Sequence, residues 1–151
     1  MVNFIQTFKF DKNFVLLEIF TLAQDLINRY PLHEVSWFAI GTYYHLANNV
    51  ELSRRFLLKS ITINNVFATG WLMYGHSFSE ELEHDQAMAA FFKAIHQMPG
   101  CHLPILYIGV ENILTENHRL GEKFINHALL IAPEDPLVLH ELSIIAFYSK
   151  E

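Results

Sequence analysis

The sequence predicts an all-α solenoid of antiparallel helix pairs, because large, small and helix-ending residues return at one interval. Trp37 and Trp71 stand 34 residues apart, and Gly41, Gly75 and Gly109 keep that interval twice. Pro31, Pro99 and Pro133 fall on the same lattice, with Asn65 in the remaining slot. Self-similarity at such a period marks a stack of units, none of which buries its apolar face alone. A plain bundle or coiled coil would show apolar residues every three and four positions, without glycine and proline returning at a long interval.

A period of 34 is that of the tetratricopeptide repeat, in which each unit is a helix, a turn and a second helix wound into a right-handed superhelical solenoid. Counting from Glu34, full repeats occupy 34–67, 68–101 and 102–135. Position four holds Trp37, Trp71, Ile105 and Leu139, large groups expected to fill the space between helices. Position eight holds Gly41, Gly75, Gly109 and Ser143, where a missing or tiny side chain lets two helices approach closely. Positions twenty (Ser53, Ala87, Gly121) and twenty-seven (Ser60, Ala94, Ala128) supply the small partners on the second helix. Asn65, Pro99 and Pro133 end each second helix, since proline cannot continue one.

Taken in order, residues 1–13 are expected to form an irregular leader. The solenoid then spans 14–150 and opens at 14–33 with the second helix of a partial repeat, running from Phe14 to Arg29 with Asp11 as a candidate cap. The three hairpins follow, and 136–150 is the first helix of another partial repeat, from about Leu137 to Tyr148. Turn signals sit where the lattice requires them, at Asn48-Asn49, Glu83-His84-Asp85, Asn117-His118 and Pro133-Glu134-Asp135-Pro136. Both ends of such a stack are expected to present apolar faces, so self-association through them is an expectation of the sequence.

Composition narrows the function. Hydrophobic residues make up 52% and charged residues 17% of the 151, a charged share below the usual quarter, so more of the surface than usual is expected to be covered. A net charge of −6 argues against nucleic acid and acidic membranes, both of which are met with Lys and Arg. The single cysteine, Cys101, cannot form an internal disulfide and fits a reducing compartment, so nucleus and cytoplasm are expected. The first residues are broken by Lys9, Asp11 and Lys12, unlike a secretory signal. The longest apolar runs, near 103–110 and 144–148, are too short to cross a bilayer.

The first helix of each repeat lines the inner, concave wall of such a stack, and helical geometry turns positions two, five, nine, twelve and thirteen toward it. From these the candidate partner-binding residues are Phe38, Thr42 and His45 in the first repeat, Leu72, His76 and Ser79 in the second, Leu106, Val110 and Ile113 in the third, and His140 and Ile144 in the last helix. Val35, Leu46, Leu103 and Leu114 fall on the same wall positions. None of these is Lys or Arg, so the wall should prefer an apolar extended or helical segment to an acidic tail.

Catalysis finds little to stand on, and no catalytic residue, metal site or cofactor is expected. His76 and Glu80 share a helix face, but a zinc site needs three or four converging ligands, and there is no H-E-x-x-H and no cysteine pair. A catalytic Cys101 would need a paired base. Gly41-Thr42 and Gly75-His76 lack the lysine and spacing of a phosphate loop, and no G-x-S-x-G occurs.

The stretches VSWFAIGTYY (35–44), GHSFSEELEHDQAMAAFFKA (75–94), GCHLPILYIGVE (100–111) and ALLIAPEDPLVLHE (128–141) resemble the cell-division-cycle protein 16 family, over residues 14–148. That family is the sixth subunit of the anaphase-promoting complex, or cyclosome, a ubiquitin ligase. The resemblance implies a non-catalytic scaffold that associates with other subunits of the complex. It also implies that the C-terminal repeats wrap the N-terminal segment of a small accessory subunit in their concave groove. The family chain is several times longer, with its dimerising repeats N-terminal to this region. A stand-alone peptide-binding adaptor outside the complex is the other reading the sequence supports.

Overall fold

Every described element is helical because apolar residues recur at helical spacing and turn residues interrupt them only at the repeat boundaries. In the computed structural model, which describes the backbone of residues 2–148 and side chains of residues 13–146, eight α-helices follow one another. They are α1 (Val2–Arg29), α2 (Glu34–Leu46), α3 (Val50–Ile63), α4 (Ala68–Ser79), α5 (His84–Gln97), α6 (His102–Leu114), α7 (His118–Ile131) and α8 (Pro136–Tyr148). Glu34, Ala68, His102 and Pro136 open the first-type helices at the predicted interval. Helix α1 departs from expectation. It begins at Val2, so residues 2–13 continue the helix instead of forming an irregular leader, and Asp11 lies inside it instead of capping it. No glycine or proline occurs between Val2 and Arg29 to interrupt the ladder.

The chain divides into two compact units, Met1–Met73 and Tyr74–Glu151. In the first, Ala23, Ile40, Leu57 and Ile61 form the buried apolar centre. Gly41 lets α2 and α3 meet, since a Cβ there would stand 2.8 Å from Leu57 Cγ. The small residues opposite it also hold the pair with hydrogen bonds. Ser53 Oγ donates to the Gly41 carbonyl at 2.9 Å, and Ser60 Oγ donates to the Glu34 carbonyl at 2.9 Å. Both tryptophans make the same hydrogen bond: the indole N–H of Trp37 donates to the Pro31 carbonyl and that of Trp71 to the Asn65 carbonyl, each at 2.8 Å. The tryptophans at position four thus seal the turn six residues before them as well as filling space.

In the second unit Ile105, Leu106, Ile125, Ala128 and Val138 form the core that joins α6, α7 and α8. Phe91, Ala87 and Ala94 are buried on α5. Close approach is tighter here, for a Cβ on Gly109 would lie 3.0 Å from the Gly121 carbonyl oxygen, and one on Gly121 would lie 2.7 Å from the Gly109 carbonyl oxygen. Leu139, expected at an interhelical position, is half-exposed on α8. The turn inside each hairpin repeats as well: Asn48, Leu82 and Glu116 take φ of 58°, 60° and 63°. Asparagine accepts that left-handed conformation readily, whereas leucine and glutamate pay for it in Cβ contacts.

A candidate partner-binding face on the first-type helices

On α6 the buried positions are Pro104, Ile105, Leu106, Ile108, Gly109, Glu111 and Asn112. The open stripe left between them is Leu103, Tyr107, Val110 and Leu114, spaced at i, i+4, i+7 and i+11 along one helix face. Leu114 is 55% exposed and the others are half-buried. The same offsets on α2 give Val35, Ala39, Thr42 and Leu46, none of them buried. This corrects the expected wall at Leu106. That side chain is 1% exposed and packed in the core with Ile125, Ala128 and Val138, so it offers nothing to a partner. Its neighbour Tyr107, absent from the expected set, takes the open place, and its spacing to Leu103, Val110 and Leu114 is the signal that would have found it.

The remaining expected residues divide by what holds them. In the first unit Phe38 stands edge-on to Phe67 with centroids 5.3 Å apart, and Thr42 Oγ1 donates back to the Phe38 carbonyl at 3.0 Å. His45 is half-buried, while Leu72 is buried and so, like Leu106, belongs to the packing instead of the surface. In the second unit the His76 ring meets Phe91 at 5.3 Å and Tyr107 at 4.2 Å, both edge-to-face. Val110 and Ile113 are half-buried against the core, His140 is exposed with Nδ1 3.2 Å from Glu141 Oε1, and Ile144 is half-buried.

Ser79 has a different role from the one expected. Its hydroxyl donates to Glu111 Oε1, while His84 Nδ1 lies 2.6 Å from Glu111 Oε2. Glu111 is 2% exposed, so its charge is met by side chains from the end of α4 and the start of α5. The carboxylate stands between serine and histidine. Ser79 therefore donates to the acid instead of to the imidazole, and the arrangement does not activate a nucleophile in the manner of a serine triad. Among the described residues no group of three or more His, Cys, Asp or Glu is placed to hold a metal ion, and no helix is long and apolar enough to cross a membrane.

Among the described residues, three titrating groups depart from their ordinary values. Burial pushes the Tyr107 hydroxyl up, and the carboxylates of Asp135 and Glu141 push it further. Burial also acts to raise Asp135, but hydrogen bonds from the Leu137 and Val138 N–H groups, with His102 adding a bond and a charge, outweigh it and hold this carboxyl below the usual range. Glu34 is held low chiefly by the Asn64 side-chain N–H at 2.9 Å.

Helix pairs repeating every 34 residues, with glycine at the close approach and small residues facing it, define a tetratricopeptide-repeat protein. The Arabidopsis OM64 TPR domain shares the fold, with a TM-score of 0.72 at 16% identity over 76% of this chain and 95% of that one. No protein-family model matches the chain. Its sequence is that of a tetratricopeptide protein resembling the human cell division cycle protein 16 homologue, with 50% identity over 135 residues, 89% of this chain and 22% of the human protein. It is similar in structure to a chain in the crystal structure of the APC/C hetero-tetramer Cut9-Hcn1, with a TM-score of 0.87 at 34% identity over 89% of this chain and 26% of that one. The chain thus spans about a fifth to a quarter of the relatives it matches.

Proposed function

We propose that this chain is a non-catalytic scaffold segment of an anaphase-promoting complex subunit, acting in cell division in nucleus and cytoplasm. On this reading it holds other subunits of the complex, the small accessory one among them, with the open faces of its first-type helices. The observation that carries the reading is the match to a chain of the APC/C hetero-tetramer at a TM-score of 0.87 across nearly all of this sequence. The open stripe Leu103, Tyr107, Val110 and Leu114 supports it further, because it carries no formal charge and suits an apolar segment of a partner. The test is an affinity pull-down of the 151-residue chain from dividing-cell extract, with bound proteins identified by mass spectrometry. Recovery of cyclosome subunits is expected. Recovery of none, from protein shown by circular dichroism to be helical, would replace this reading with that of a free-standing adaptor.

A further inference from the structure

Two closed hairpins show what a first-type helix takes along its inner side. Positions four, eight and eleven of the repeat are Trp37, Gly41 and Tyr44 on α2, and Ile105, Gly109 and Asn112 on α6. On α2 they meet α3, where Phe56 stacks on Trp37 at 6.0 Å and on Tyr44 at 5.4 Å, and Leu57 leaves no room for a Cβ at Gly41. On α6 all three are buried, and Ile125 of α7 leaves no room for a Cβ at Gly109. On α8 the same positions are Leu139, Ser143 and Ala146, and all three are exposed. The face that a second-type helix covers in both hairpins is open on α8.

Helix α1 is of the second type and carries a face to match. Val15, Ile19, Leu22 and Leu26 follow one another at i, i+4, i+7 and i+11, with Val15 and Leu22 exposed. In the repeat frame Leu22 stands in the place of Phe56, and Ala23 in the place of Leu57 and Ile125. The sizes agree. Ser143 brings the Cβ that Leu57 and Ile125 exclude at the equivalent glycines, and Ala23 is smaller than either.

We propose that α8 of one copy of this chain pairs with α1 of a second copy, completing a hairpin between molecules with Leu22 seated between Leu139 and Ala146. The proposal is independent of the scaffold reading, because the open stripe of α6 lies at other positions of the repeat. The two surfaces differ, so the contact is head to tail, and each added copy presents a further α1 or α8. Apolar area drives the pairing, and high salt should leave it in place.

Sedimentation velocity of the full 151-residue chain over a rising concentration series is the test. The wild type is expected to gain mass with concentration, equally in low and high salt. Leu22→Lys and Leu139→Lys each keep one of the two surfaces, so each alone should sediment as a single chain where the wild type is associated. An equimolar mixture of the two should give a complex of two chains and no larger, since one intact α1 meets one intact α8. Leu130→Lys, at an exposed residue of α7, should associate as the wild type does. A wild type that stays a single chain throughout overturns the proposal and leaves the α8 face to a helix of another protein. A mixture that stays monomeric, or single variants that associate like the wild type, overturn it as well. Circular dichroism melts establish that the variants are folded, and the wild-type series decides the case alone if they are not.

Discussion

The tenth position of the repeat is an aromatic residue, Tyr43, in the first repeat and a carboxylate, Glu111, in the third. Tyr43 packs on Phe20 of α1 with ring centroids 5.0 Å apart and on Tyr44 at 5.1 Å. Glu111, in register with it on α6, is tied instead to Ser79 and His84. Each residue ties its own first-type helix to the elements before it. The tyrosine does so by non-directional contact that tolerates change, and the glutamate by charge-assisted bonds that require both partners. The lattice of large and small residues fixes the fold, and this position shows that the joint itself can be built from either chemistry.

Removing one side of the hydrogen-bonded joint at Glu111 should therefore do more harm than trimming the aromatic one. His84→Ala leaves a carboxylate that is 2% exposed with Ser79 as its remaining partner, and should cost about 3 kcal/mol of unfolding free energy. Tyr43→Phe, which keeps the ring against Phe20, should cost less than about 1 kcal/mol. Urea titrations followed by circular dichroism measure both. Equal losses from the two variants would mean that Glu111 reaches water once His84 is gone, and that the joint does not depend on both partners.

The glycine contacts sharpen the comparison at a smaller scale. In the first unit a Cβ at position 41 would press on the Leu57 side chain at 2.8 Å from Cγ and 2.9 Å from Cδ2, and side-chain atoms, even of a fully buried leucine, yield by a small shift. In the second a Cβ at position 121 would meet the Gly109 carbonyl at 2.7 Å, and a backbone cannot. Gly→Ala inside a helix also gains roughly 0.5–1 kcal/mol in propensity. Gly121→Ala should consequently lose about 2 kcal/mol, whereas Gly41→Ala should stay within about 1 kcal/mol of wild type. Thermal unfolding of the two purified variants decides it, and a reversed order would show that α6 and α7 separate more easily than α2 and α3.

Much of this was legible in the sequence, for a reason particular to repeats. Glycine, tryptophan and proline report close approach, filling and termination directly, so the starts of α2, α4, α6 and α8 follow from the period. The open face of α6 was legible only to within one residue. A helix turns by about 100° per residue, so Leu106 and Tyr107 point to different sides, and the spacing of apolar residues does not say which side is core. Glu111 was hidden for another reason. A glutamate on a helix reads as a solvated residue, and its partners Ser79 and His84 lie 32 and 27 residues away in the chain. The continuous α1 was missed because polar residues among 2–13 blur the apolar period, although nothing there breaks a helix.

The weakest effect separates the units by their response to acid. Glu34 at the start of α2 and Asp135 at the cap of α8 both have carboxyl groups held below their ordinary values in the folded chain. A carboxylate lowered on folding contributes stability above its unfolded value, near 3.9 for aspartate and 4.3 for glutamate, and loses it as pH falls through the folded value. For Glu34 the cause is first the Asn64 side chain; for Asp135 it is the pair of α8 N–H groups, with His102, prevailing over burial. Asp135→Asn keeps an oxygen that accepts from Leu137 and Val138 but no longer titrates. Its melting temperature should therefore fall less steeply than that of wild type between pH 5 and pH 3, and Glu34→Gln should flatten the same limb through the first unit. Because both groups lie near the surface, the shifts should be small and should shrink further in high salt. An acid limb for Asp135→Asn that overlays the wild type would show that the α8 cap does not titrate with unfolding, and would leave Glu34 as the acid-sensitive joint of the pair.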